Sequence, residues 1–151
     1  MGFKIPPIEK IHEAYSAIVD ERIKMSENEA IVMSSDLSKN YLVTWEENTY
    51  KSNDNASYWQ GYIGYPVIAI LMLQNKLPLN MEIANYFKGI NWKKLNTEHK
   101  NKYSEVVQQL FDEFRLKGID CNVINTEIEH VYSKIKELNI NIKRSSIRPP
   151  R

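Results

Sequence analysis

The chain has one cysteine, Cys121, in 151 residues. A lone thiol forms no internal disulfide, so the disulfide framework of a small secreted domain is excluded. Glycine is scarce, at five. Only Gly61 and Gly64 lie close together, and no glycine-rich run stands between a strand and a helix to cradle a phosphate. Histidine occurs three times, as His12, His99 and His130. No two are spaced three or four apart, so no helical metal-ligand pair exists, and ordinary surface or edge histidines are expected. No metal and no cofactor are expected.

Charge of one sign is also lacking. Twenty basic residues face nineteen acidic ones, for a net charge of +1. Nucleic-acid binders usually carry a clear basic excess, so the body of the chain gives no such case. The longest apolar run, Val67 to Leu73, is too short to span a bilayer. The first residues carry no apolar signal core. No membrane partner is expected, and a cytoplasmic location follows by elimination.

What is present suits one domain with a core of its own. Pro6 and Pro7 suit a helix entry, and Ile8, Ile11, Tyr15, Ile18 and Val19 follow at helical spacing. The spacing predicts a helix over about 7–24, with Glu9, Lys10, Glu13, Asp20, Glu21 and Lys24 on its solvated face. Residues 30–34, 41–45 and 49–52 read as short strands separated by polar turns, which makes a three-stranded antiparallel meander. Pro66 to Asn75 is apolar nearly all round and reads as a central buried helix.

The second half reads as helical. Asn80 caps a short helix. Asn96 or Thr97 is expected to cap a long one, whose stripe is Tyr103, Val106, Val107, Leu110, Phe111 and Phe114. Thr126 and Glu129 suggest a capping box for a last helix bearing Ile128, Val131, Tyr132, Ile135 and Leu138. The fold class is therefore α+β: a small meander packed on a buried helix, with a helical C-terminal half. One globular domain is expected over 1–142, followed by a basic, proline-containing tail over 143–151. Met1 to Lys4 and the residues after Lys143 are expected to be less ordered than the body.

The most unusual stretch runs from Tyr50 to Tyr65. Aromatic and amide side chains alternate there, and such surfaces stack on rings and read polar edges. The candidate binding residues are Ser52, Asn53, Asp54, Asn55, Tyr58, Trp59, Gln60, Tyr62 and Tyr65. The competing reading is a packing seam between helix and sheet. Lys143, Arg144, Arg148 and Arg151 in the tail form a weak candidate contact for nucleic acid.

The runs Val32-Met33-Ser34-Ser35, Tyr41-Leu42-Val43, Lys51-Ser52-Asn53-Asp54 and Gly64 to Leu71 together resemble the layout of SWIM zinc fingers. That family places a Cys-x-Cys pair after a β-hairpin and a Cys-x-His pair at the start of an apolar helix. Here the matching positions are Ser52, Asp54, Gly64 and Pro66, so all four ligand positions are lost. The resemblance covers a quarter to a third of the chain. It implies a module in which packing stands where zinc stood, and an association with DNA or protein rather than catalysis.

No catalytic residue is assigned. The expectation is a non-enzymatic binding or interaction module of unknown partner, nucleic acid or protein. One alternative is a small ligand-binding protein or enzyme with a pocket near Asp54. The other is an obligate homo-oligomer whose aromatic stretch is the interface.

Overall fold

The computed structural model describes residues 3–151; Met1 and Gly2, part of the N-terminal stretch expected to be less ordered, lie outside the described residues. The α+β class holds. The sheet has five strands rather than three, β1 (Ile23–Met25), β2 (Glu29–Met33), β3 (Asn40–Glu46), β4 (Thr49–Ser52) and β5 (Asn141–Arg144), in that spatial order. The expected meander is its centre, β2 to β4, with Ala30 opposite Val43 and Trp45 opposite Tyr50. β1 adds an antiparallel edge, and β5 pairs parallel to β4, with Lys143 opposite Lys51 and Arg144 opposite Ser52.

The turns follow from their chemistry. Asp36 Oδ1 accepts hydrogen bonds from Ser34 Oγ (2.8 Å), Ser38 N (3.0 Å) and Ser38 Oγ (2.7 Å), closing the β2–β3 turn. Leu37 and Glu47 take left-handed conformations at the two reversals.

Helix α1 spans Lys10–Val19, shorter than the expected 7–24. Glu21 adopts φ 55°, which no helix continues, and the chain turns into β1. A short π-helical segment, Ala56–Gln60, ends at left-handed Gly61. Helix α2 (Tyr65–Leu73) follows, with Pro66 in its first turn. Its residues Val67 to Met72 are at most 1% exposed, so it is the central buried helix expected from its composition.

Asn80 caps α3 (Met81–Asn85) by accepting from Ile83 N. Asn91 caps α4 (Trp92–Glu98) by accepting from Lys94 N. The long helix α5 (Tyr103–Leu116) starts after Lys100 and Asn101, both left-handed, and not at Asn96 or Thr97. Helix α6 (Cys121–Lys136) starts at Asp120, which accepts from Asn122 N. Thr126 therefore lies inside α6, its hydroxyl bonded back to Asn122 O, and the expected capping box does not form.

One continuous core joins these elements. α1 packs against α2, α2 lies against β3 and β4, and α6 packs against α1. Tyr15, Tyr50, Phe87, Ile68, Ile124, Ile128 and Ile135 are among its largest fully buried side chains. Among the described residues no helix is long and apolar enough to cross a membrane.

Candidate functional site

A cleft of about 340 Å³ opens where α1, the β2–β3 turn, the π-helical segment, the start of α2 and the α4–α5 connection meet. Asp54, Asn55, Trp59, Gln60, Tyr62 and Tyr65 line it. So six of the nine candidate binding residues share one wall. Ser52 and Asn53 stand behind that wall as buried supports, and Tyr58 faces the β5 side.

The supports explain the wall. Asn53 Oδ1 accepts from Leu42 N (2.7 Å), so its amide continues the β3–β4 pairing one residue beyond the strand. Ser52 Oγ donates to Asp54 Oδ1, and Ser57 N donates to Asp54 Oδ2 at 3.1 Å. Asp54 thus holds the first turn of the π-helical segment, while Ser57 Oγ accepts from Gly64 N at 3.1 Å. Gly64 has ordinary extended backbone, φ −80° and ψ 175°. It is required by space: a Cβ there would lie 2.0 Å from Asp54 Oδ2.

The residues missed in the sequence carry most of the charge. Lys10 and Glu13 are buried, at 8% and 7% exposure, although both fall on the face of α1 expected to be solvated. Lys10 Nζ lies 3.4 Å from Glu13 Oε2 and 4.3 Å above the centre of the Tyr103 ring. Glu13 Oε1 also accepts from Asn96 Nδ2 at 3.1 Å, which ties α4 to α1. Burial pulls the Lys10 ammonium down, but Glu13, Tyr103 and Tyr62 outweigh it and hold its pKa above the ordinary lysine value. Burial pushes the phenols of Tyr41, Tyr62 and Tyr65 up, so all three stay neutral donors at physiological pH.

Arg22 completes the cleft at 3% exposure. Its Nη1 donates to Met33 O at 2.6 Å. On another wall Trp92 is buried, and its Nε1 donates to Ser16 Oγ (2.7 Å), which in turn donates to Phe87 O. Lys39 and Lys93 stand at the rim, Lys93 3.3 Å from Asp36.

Lys10, Glu13, Arg22 and Asp54 are all the buried Lys, Arg, Asp and Glu side chains among the described residues, and every one lines this cleft. A buried charge is costly unless paired and hydrogen-bonded, which makes this cleft the candidate site.

The other candidates lie elsewhere. Lys143 and Arg144 belong to β5, so the expected domain boundary after 142 falls within a strand. Arg144 lies 4.7 Å above the Tyr58 ring and 5.7 Å above that of Trp59, and donates to Tyr58 O. Arg148 offers its carbonyl to Asn53 Nδ2 at 3.3 Å, and Arg151 is exposed. Lys143 and Arg144 thus lie on the edge strand, and none of the four cations lines the cleft. His12 is a correction: it is 3% exposed, packed on Phe87 and Phe111, rather than at the surface. Cys121 is buried, its Sγ 3.5 Å from Phe111 O. Among the described residues no three His, Cys, Asp or Glu side chains are grouped to hold a metal ion.

The family described as "Uncharacterised conserved protein UCP014422" matches residues 3–141, a stretch that includes every residue lining the cleft and stops before Lys143. That match does not confirm the SWIM resemblance. No curated protein and no solved structure matches the chain.

Proposed function

We propose that this chain, which belongs to that uncharacterised conserved family, is a small-molecule binding protein whose ligand occupies the cleft beside Asp54. The observation that carries the reading is the convergence of all four buried charged side chains on one concave surface. Folding alone gains little from such an arrangement, because apolar side chains of similar volume would fill the space at lower desolvation cost. The volume lies at the small end of the range for ligand sites, roughly 300–1,000 Å³. The lining supports the same reading. Trp59, Tyr62, Tyr65, Tyr41, Trp92 and Tyr103 provide flat apolar area, and a few fixed polar groups stand between them.

The SWIM resemblance enters this proposal only as a layout. Ser52, Asp54 and Gly64 do meet at one point, but the meeting is a hydrogen-bonded carboxylate against a glycine with no ligating side chain. We read that cluster as the foundation of the cleft wall rather than as a metal centre.

The test is a thermal-shift screen of the purified chain against a panel of small polar metabolites and short oligonucleotides, followed by titration of tryptophan fluorescence. Trp59 is 58% exposed on the cleft and will report occupancy. A small molecule that raises the melting temperature and loses its effect in Trp59→Ala supports the proposal. Stabilisation by oligonucleotides alone, lost on replacing Arg144, would place the binding surface at the sheet edge instead.

A further inference from the structure

Arg22 has more donors than partners. Nη1 is bonded to Met33 O and the Tyr65 phenol lies against the guanidinium, but Nε and Nη2 complete no hydrogen bond among the described residues, and both are buried. The nearest carboxylate oxygen, Asp20 Oδ2, stands 3.9 Å from Nε, beyond hydrogen-bond reach. Asp20 Oδ1 is already engaged by Gly89 N at 2.9 Å. Nε and Nη2 share one edge of the guanidinium, the edge that grips a carboxylate or phosphate through two parallel bonds.

The acids that line the cleft are engaged elsewhere. Four cations, Lys10, Arg22, Lys39 and Lys93, face two anions, Glu13 and Asp54. Glu13 is paired with Lys10, and Asp54 is bonded to Ser52 Oγ and Ser57 N. Lys93 is paired with Asp36, while Lys39 has no ion pair among the described residues. The two acids are therefore committed to the walls, and with Asp20 and Asp36 counted the charges in and around the cleft balance, so the open guanidinium edge rather than an excess of charge is what favours an anion.

We propose that the ligand is a small organic oxyanion, a phosphate or carboxylate carried on a flat ring, with Arg22 as its charge partner and Trp59 and Tyr62 as its apolar walls. This rests on the reading of the cleft as a ligand site and adds the chemical class. A neutral ligand would leave the charge of the Arg22 edge unmatched, and a cationic one would be repelled by it. Arg22 itself is a positioning and binding group here; no reaction is implied.

The experiment uses the full chain, labelled with ¹⁵N, and follows the arginine Nε–H resonances and the cleft backbone amides during titration. The probes are phenyl phosphate, benzoate, inorganic phosphate and neutral benzamide. The expected result is a shift of the Arg22 Nε–H resonance with phenyl phosphate or benzoate, and at least tenfold weaker binding of benzamide. The relative affinity of phenyl phosphate and benzoate separates phosphate from carboxylate as the preferred group. Arg22→Gln should weaken the anionic probe at least tenfold, and Arg22→Lys, which keeps charge but loses the fork, by an intermediate factor. Arg22 also ties down Met33 O, so the variants are compared only if their melting and circular dichroism match the wild type; the wild-type resonance decides the matter by itself.

Anionic probes that bind in the cleft without moving the Arg22 resonance overturn this inference, because the guanidinium edge is then closed by Asp20 or water. Benzamide binding as tightly as benzoate overturns it too, and leaves the cleft as a site for a neutral ligand. No shift of any cleft residue with any probe also overturns it; the broader reading then stands or falls by the metabolite screen.

Discussion

Gly64→Ala tests how the cleft wall is built. The backbone at Gly64 suits any residue, so no conformational strain is added, and the lost chain freedom of the unfolded state would by itself favour alanine by about 0.4–1 kcal/mol. The new methyl would stand 2.0 Å from Asp54 Oδ2 and 2.8 Å from its Cγ, where ordinary contact begins near 3.4 Å. The carboxylate must retreat by more than an ångström, and at that distance its bonds from Ser57 N and Ser52 Oγ both fail. Hydrogen bonds to a charged group are worth about 1.5–3 kcal/mol each, and a buried carboxylate left without them is penalised further. After the gain from alanine, the loss of both bonds should leave a net cost of about 2–6 kcal/mol. Urea unfolding followed by circular dichroism measures it. The companion measurement is a double-mutant cycle with Asp54→Ala, which removes the clashing atoms. Asp54→Ala/Gly64→Ala should then be no less stable than Asp54→Ala. A loss below about 0.5 kcal/mol for Gly64→Ala, or additive effects in the cycle, would refute the account of the wall.

Three further outcomes follow from the core. Leu110, 5% exposed on α5, should cost about 2–5 kcal/mol when replaced by alanine, measured by chemical denaturation. Tyr15 is fully buried and its hydroxyl has no hydrogen-bond partner, so Tyr15→Phe should leave stability unchanged or raise it by about 1 kcal/mol; a large loss would reveal a partner for that hydroxyl. Burial pushes His12 down to about 4, below its ordinary value of 6.5, because the charged ring is disfavoured between Phe87 and Phe111. Between those values the unfolded chain binds the extra proton, so the contribution is complete above pH 6.5 and is lost as pH falls towards 4, by about 3 kcal/mol in total. His12→Phe should flatten that part of the stability–pH curve, and an unchanged curve would contradict the assignment.

The elements that could be read from the chain are those whose own composition decides them. Val67 to Met72 is apolar on every side, and only a buried helix accommodates that run. Tyr41, Val43 and Trp45 alternate, and β3 follows. β5 was out of reach because Asn141–Arg144 is polar and basic, and it becomes a strand only by pairing with β4. The start of α5 was misplaced because Asn96 and Thr97 are good caps in isolation, yet Asn91 had already started α4.

The same distinction governs the site. The Asp54–Tyr65 wall was visible as an unusual mixture of aromatic and amide side chains. Lys10 and Glu13 were not, since charges at helical spacing normally face water, and only α4 and the Tyr103 ring folding over them buries the pair. The small residues Ala14, Ser16 and Ala17 around the rest of α1 were the available hint that this helix is enclosed on several sides. Arg22 had no local signal: its role comes from where the end of α1 meets the β2–β3 turn.

The central claim is that the cleft is where this chain meets its ligand. The most direct measurement is a map of backbone amide shifts in the ¹⁵N-labelled protein on adding the best stabilising molecule from the screen. The account predicts that the shifts cluster on Lys10 to Arg22, Ser34 to Tyr41, Asp54 to Tyr65 and Trp92 to Tyr103, and spare Asn141 to Arg151. Shifts concentrated instead on β5 and the residues after it, with the cleft unmoved, would contradict it.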